Sequence, residues 1–186
     1  MKRPGRVIPF VLCSALLLSG TASAQATQAK PALRTPDVIF VPTGPDVVDA
    51  MLKLAKVGPN DVVYDLGSGD GRIPIAAVQK FNAKSATGID IDPQRIREAN
   101  ENHAKSGVGA RVRFLNQDLF TTPIGEASVV TLYLLQSLNE KLMPKLQKEL
   151  KPGSRVVSQT FSMGPTWTPD QTIQVEGRNV YLWIIK

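Results

Sequence analysis

The chain has 186 residues, with 22 Lys and Arg against 16 Asp and Glu, one histidine, one cysteine and a formal net charge of +6. That length supports one domain with a real hydrophobic core. A lone His103 and a lone Cys13 argue against a metal centre, a disulfide framework and a Ser-His-Asp triad.

Residues 1–24 read as a secretory signal peptide. Lys2, Arg3 and Arg6 form a basic start, Val7 to Leu18 is mostly apolar, and Ala22-Ser23-Ala24 before Gln25 is a small-x-small cleavage site. Cleavage after Ala24 implies a protein exported to the periplasm or secreted. The apolar run is shorter than the roughly 20 residues that span a bilayer, so no stable membrane anchor is expected after cleavage. Without the leader, 19 basic residues face 16 acidic ones, a net +3. Net charge then gives no strong nucleic-acid signal, and Lys141, Lys145, Lys148 and Lys151 read as a solvated helix side. Cys13 leaves with the leader.

Residues 25–37 read as a flexible lead-in, and the folded domain, 38–186, is expected to start near Val38. Pro45 opens a helix whose apolar face is Val47, Val48, Met51, Leu52 and Leu54. Gly58-Pro59-Asn60-Asp61 ends it. Val62 to Leu66 is the first strand, and it runs into Gly67-Ser68-Gly69-Asp70-Gly71-Arg72 and a helix over about 71–80. Three alternate glycines at a strand-to-helix turn offer positive φ and close approach of the main chain to a ligand. Their spacing is neither the dinucleotide G-x-G-x-x-G nor the G-K-[ST] of a P-loop, which argues against a nicotinamide oxidoreductase.

The second strand is the run Ser85 to Pro93, with Pro93 suited to the first turn of a helix over 94–106. Asp90, about 20 residues past the glycines, is placed to accept from both hydroxyls of a ribose. Asp92 competes for that role but precedes Pro93, and capping the helix suits it better. His103 falls among Glu98, Asn100, Glu101 and Asn102 on an expected exposed face. Arg111–Asn116 is the third strand and leads into Asp118, Leu119 and Phe120. Ser128–Leu134 is the fourth.

Ser137-Leu138-Asn139-Glu140 has capping-box spacing for a helix to Leu150, which either starts late or bends at Pro144. Arg155–Phe161 is the fifth strand. No crossover helix is expected after it, because Ser162 to Gln171 holds two prolines and a glycine. Thr172–Val175 and Val180–Ile185, joined by Glu176-Gly177-Arg178-Asn179, form an antiparallel hairpin. The order implies an α/β fold: a doubly wound, mostly parallel, seven-stranded Rossmann-like sheet with a C-terminal antiparallel hairpin and ligand at the strand carboxyl ends.

Asp65 with Gly67-x-Gly69-x-Gly71 resembles the D-x-G-x-G-x-G turn of class I S-adenosylmethionine (SAM)-dependent methyltransferases. Val41-Pro42-Thr43, Val130 to Leu135, Asn139-Glu140 with Pro144-Lys145-Leu146, Glu149 to Ser158 and Trp167 narrow the likeness. Over Phe40 to Ile185 the chain is similar to small archaeal protein-lysine methyltransferases and to mitochondrial lysine methyltransferases. The resemblance implies SAM as cofactor, touched by Thr43, Asp65, Gly67, Gly69, Gly71, Asp90 and Asp118, with Asp118 on the adenine amino group and Leu119 or Phe120 covering the ring. It implies a protein lysine as methyl acceptor, reached by in-line displacement, and no metal. The fourth strand lacks the Asn/Asp-Pro-Pro-Tyr tetrad of many amino methyltransferases, so the likeness transfers no catalytic residue. Tyr133 is the nearest aromatic candidate, with a role in the core or the cofactor wall as its alternative. Because SAM is made in the cytoplasm, an exported non-catalytic binder of an adenosyl compound or nucleoside stands as the competing reading.

Overall fold

The structure is a computed structural model that describes residues 33–186 together with Met1. The expected signal peptide and most of the lead-in fall at 2–32, outside the described residues. The elements in chain order are α1 (Pro45–Leu54), β1 (Val62–Leu66), α2 (Arg72–Gln79), β2 (Ser85–Asp90), α3 (Pro93–Ser106), β3 (Val112–Asn116), β4 (Val129–Leu132), α4 (Gln136–Glu149), β5 (Arg155–Gln159), β6 (Gln171–Val175) and β7 (Arg178–Ile184). The strands form one sheet in the order β3-β2-β1-β4-β5-β7-β6. Strands β1 to β5 pair in parallel, and β7 runs antiparallel between β5 and β6. The expected doubly wound sheet with a terminal hairpin is therefore the one observed.

Alternation along each strand builds two cores. Val63, Val129, Val157 and Leu182 face Val47, Met51 and Leu52 of α1 and Ala77 of α2, all buried. Tyr64, Leu66, Val130, Leu132, Val156 and Trp183 face Leu142 and Leu146 of α4. Trp183 is fully buried, and its indole N–H donates to the Trp167 carbonyl at 2.8 Å, so the ring's one polar atom is satisfied. The chain leaves β1 toward β2 and β3, then returns to place β4 on the other side of β1. At that reversal the loops diverge and leave a crevice over the strand carboxyl ends, the place where open α/β sheets hold ligands.

Three local expectations change. The capping box of Ser137 and Glu140 does not form. The helix starts earlier, with Leu135 at the N-cap and no side-chain cap, so Ser137 already lies inside the first turn. Glu140 instead accepts from Gln136 at 2.9 Å, and α4 continues through Pro144 as one helix. The hairpin is longer and its turn shorter than the four residues expected. Glu176 and Gly177 both have positive φ, 49° and 71°, the signature of a two-residue type I′ turn whose twist matches the strands. This lets Val175 pair with Arg178. His103 is half-buried rather than exposed: its Nε2 lies 2.8 Å from the Gly109 carbonyl and its ring meets Phe114 edge-on. Residues 160–170 form no helix, as the prolines foretold.

Candidate functional site

The crevice is lined by residues from six places in the chain. Among them are Phe40 and Thr43 before α1, Asp65 and Gly67 at the end of β1, Asp70 and Arg72 at the start of α2, Asp90 at the end of β2, Leu119 after β3, and Tyr133 and Leu134 after β4. Proximity in space of residues this far apart in sequence follows from the parallel register, which brings the carboxyl ends of neighbouring strands together.

The glycine turn is held by its neighbours. Gly67 and Ser68 donate their N–H groups to the Ile89 carbonyl at 2.8 and 3.0 Å, which ties the turn to β2. The φ values of Gly67, Gly69 and Gly71 are 86°, 51° and 81°, in the region closed to most side chains. The three have different neighbours. A Cβ on Gly69 would overlap the Phe40 ring, and one on Gly71 would enter the Phe114 ring. Gly67 lines the crevice; Gly71 serves the close seat of α2 on the sheet.

Asp90 is tied to the turn by its side chain. Its Oδ2 accepts from Gly69 N–H at 2.8 Å and its Oδ1 from Asp92 N–H at 2.9 Å. Each oxygen keeps acceptor capacity toward the crevice. Burial pushes its pKa up, against the pull of these backbone donors. Asp92 caps α3 by accepting from Gln94 N–H at 2.7 Å, the role that its place before Pro93 suits.

Asp65 is fully buried and accepts from Thr131 Oγ1 at 2.7 Å. Burial pushes its pKa up to about 7, Thr131 opposes the rise, and the nearby Asp90 and Asp70 charges add to it. No basic side chain acts to bring it down. A buried carboxylate in this state favours a cationic group beside it. Arg72 does not supply that charge: its guanidinium is engaged by Asp70 at 2.6 and 2.9 Å and by the Thr43 carbonyl at 2.7 Å. Thr43, itself buried, is thus fixed at the crevice by its main chain.

Asp118 stands apart from the residues that line the crevice. It is covered by Arg34, whose Nε and Nη2 donate to its two oxygens at 2.7 and 3.3 Å. That bond holds its carboxyl below the usual range. Of the two apolar neighbours expected beside it, Leu119 lines the crevice, while Phe120 lies under the cations of Arg34 and Lys141. Tyr133 is half-buried at the crevice, and its hydroxyl accepts from Arg178 Nη1 at 3.4 Å. Sequence reasoning missed Arg34, Phe40 as a contact of the glycine turn, and Arg95, whose guanidinium lies 4.7 Å from the Phe40 ring centre. The adjacency of Asp70 and Arg72 was a readable signal for their pair; the others are joined only by the fold.

The donor set fits an adenosyl cofactor. Two strand-end carboxylates with spare acceptor capacity suit a ribose and a cation, and the glycine turn leaves main chain in reach. Among the described residues no group of three His, Cys, Asp or Glu side chains could hold a metal ion.

Residues 65–171 match the family described as the ANTKMT methyltransferase domain. A protein-lysine N-methyltransferase of Saccharolobus islandicus is 50% identical over 81% of this chain and 95% of its own length. The mouse adenine nucleotide translocase lysine N-methyltransferase is 37% identical over 66% of this chain, a stretch that spans 52% of that protein. A solved structure described as an RNA methyltransferase from Salinibacter ruber, bound to S-adenosyl-L-homocysteine (SAH), is 52% identical, with a TM-score of 0.76 over 78% of this chain and 94% of that one. A ribosomal protein L11 methylase from Lactobacillus delbrueckii, at 21% identity and a TM-score of 0.65, shares the fold. The chain belongs to the ANTKMT methyltransferase domain family of SAM-dependent methyltransferases.

Proposed function

We propose that the protein methylates the side-chain amine of a lysine in a protein acceptor. The observation that carries this reading is the 50% identity to a protein-lysine N-methyltransferase across nearly all of that protein. SAM supplies a methyl group already activated on a sulfonium, so the chain's residues have to bind, align and exclude water. Asp90 receives the ribose hydroxyls, Asp65 faces the cofactor's positive charge, and Gly67 and Gly69 with Thr43 bring main chain against it, while Gly71 seats α2. Asp118 takes the adenine amino group, with Leu119 over the ring. Tyr133 and Leu134, at the carboxyl end of β4, form the side on which the acceptor amine enters.

A lysine amine must be neutral to attack, and its unperturbed pKa is near 10.4. Apolar side chains at the mouth supply the desolvation that lowers it, with no dedicated base required. Ile39, Phe40, Val41 and Leu135 are all among the exposed large hydrophobic residues. The leader read at 1–24 supports export of this activity from the cytoplasm, and an N-terminus at Gln25 on protein recovered from the periplasm or medium is the result that would bear this out.

The test is incubation of the purified protein with methyl-labelled SAM and a mixed protein and RNA extract, followed by hydrolysis of each fraction. Label recovered as methyllysine is the expected result. RNA is the competing acceptor, favoured by the description of the 52% identical structure, and label confined to nucleotides would replace the lysine reading. Tight SAM binding with no label anywhere would leave a non-catalytic binder.

A further inference from the structure

Residues 34–41 cross the crevice that the cofactor has to enter. At one end Arg34 reaches over 84 positions to Asp118, with its Nε at 2.7 Å from Oδ2 and its Nη2 at 3.3 Å from Oδ1, and it also pairs with Asp37. Its guanidinium lies 5.3 Å from the centre of the Phe120 ring. In the middle, Phe40 packs on Gly69 of the glycine turn and under Arg95. At the other end Thr43 is pinned through its carbonyl by Arg72. Pro36, Asp37, Val38, Ile39, Phe40 and Val41 all line the crevice between these anchors.

We propose that this segment is a strap across the cofactor site, and that Arg34 occupies on Asp118 the place of the adenine amino group, so that cofactor binding must displace it. The proposal rests on the reading of Asp118 as the adenine acceptor. The chemistry of the two groups is alike. A guanidinium is a flat, delocalised donor of N–H groups, as is the amino edge of adenine, and both suit a carboxylate beside apolar side chains. Asp118 Oδ1 already accepts from Phe120 N–H at 2.9 Å, whereas Oδ2 has Arg34 alone among its hydrogen bonds. The oxygen left open by the main chain is the one the strap fills.

The strap is built to open. Ile39 is 86% exposed and Val41 and Phe40 are 46% and 40% exposed, so Val38, half-buried against the core on the α4 side, is the main apolar anchor of the middle. The pair of Arg34 with Asp118 is partly solvated, with side chains 35% and 17% exposed, and exposed ion pairs contribute modestly and weaken with salt. Segments with few buried contacts open locally at low cost. Apparent cofactor affinity then equals the intrinsic affinity reduced by the fraction of molecules with the strap open.

The experiment is SAH binding to the purified protein by calorimetry and stopped-flow mixing, in the wild type and in Arg34→Ala. The variant is expected to bind SAH about 3- to 10-fold tighter, with a gain of similar size in the association rate, from removal of that closed fraction. Raising salt should speed association in the wild type and leave the variant's rate nearly unchanged. Unchanged or weaker affinity in Arg34→Ala overturns the proposal. Asp118→Ala, added to Arg34→Ala, locates any failure: it should cost about tenfold in SAH affinity through the lost charge-assisted bond. No loss there would overturn the adenine assignment and with it the mimicry.

Discussion

Asp65 shows how one buried side chain links binding to stability. An unfolded Asp titrates near 3.8, while burial holds this one at about 7. Between those values the folded chain binds a proton that the unfolded chain has released, so stability falls as pH rises through that window. At about 1.4 kcal/mol for each tenfold difference in proton affinity, the effect amounts to a few kcal/mol. Asp65→Asn, which keeps the shape and removes the charge, is expected to raise the melting temperature at pH 8 and to change it little near pH 4, measured by thermal melts across pH. Cofactor binding should respond the other way. The positive cofactor prefers the carboxylate, so SAM affinity in the wild type should tighten as pH rises through about 7 and should be weaker and flat with pH in the variant. A flat wild-type profile would remove the countercharge role. At this scale the sequence was informative where a residue's partner is local: the cap by Asp92 follows from Pro93 alone. Asp65's environment depends on Thr131, 66 positions away, and Arg34's on Asp118, 84 away, and no spacing rule reaches that far.

Elements were legible in type and order because hydrophobic period and turn residues are local signals. Their ends were less so. The capping box at Ser137 and Glu140 had the right spacing, yet Asn139 between them is fully buried and donates to Ser158 Oγ and to the carbonyls of Phe161 and Ser162. That tertiary tie from α4 to the chain leaving β5 fixes where the helix sits, and the weaker local cap yields. The hairpin turn makes a prediction of its own. Glu176 holds φ 49° in a type I′ turn, a position that suits Asn or Gly and strains a longer side chain. Glu176→Asn is expected to stabilise the fold by roughly 0.5–1 kcal/mol, a rise of a few degrees in Tm for a chain of this size. A drop in Tm would mean that the Glu176 carboxylate, which lies near Gly44 at the N-terminus of α1, stabilises the fold by more than its backbone strain costs.

On the scale of the whole molecule, the two ends of the sheet do different work. The carboxyl ends of β1, β2 and β4 carry the crevice, with buried acids that cost stability. The opposite end carries a network that holds the layers together. Arg155, at the start of β5, donates to the Ala55 carbonyl at 2.7 Å beyond α1 and pairs with Asp61 before β1. Asp61 also accepts from Ser128 Oγ at 2.7 Å, and Ser128 Oγ accepts from Val62 N–H at 3.0 Å. Three stretches far apart in sequence, 55–62, Ser128 and Arg155, meet in one network, and none of these residues lines the crevice. Arg155→Ala leaves a partly buried Asp61 without its cation and an unpaired carbonyl at Ala55. Losing charge-assisted bonds of this kind costs about 2–3 kcal/mol, or roughly 5–10 °C in Tm. Because the network and the crevice lie at opposite ends of the same strands, SAH affinity measured well below the melting transition should stay within about twofold of the wild type, as expected for distant, independent sites. A large loss of affinity in a variant that still melts cooperatively would show the two ends to be coupled, with the register of β5 against β4 as the path between them.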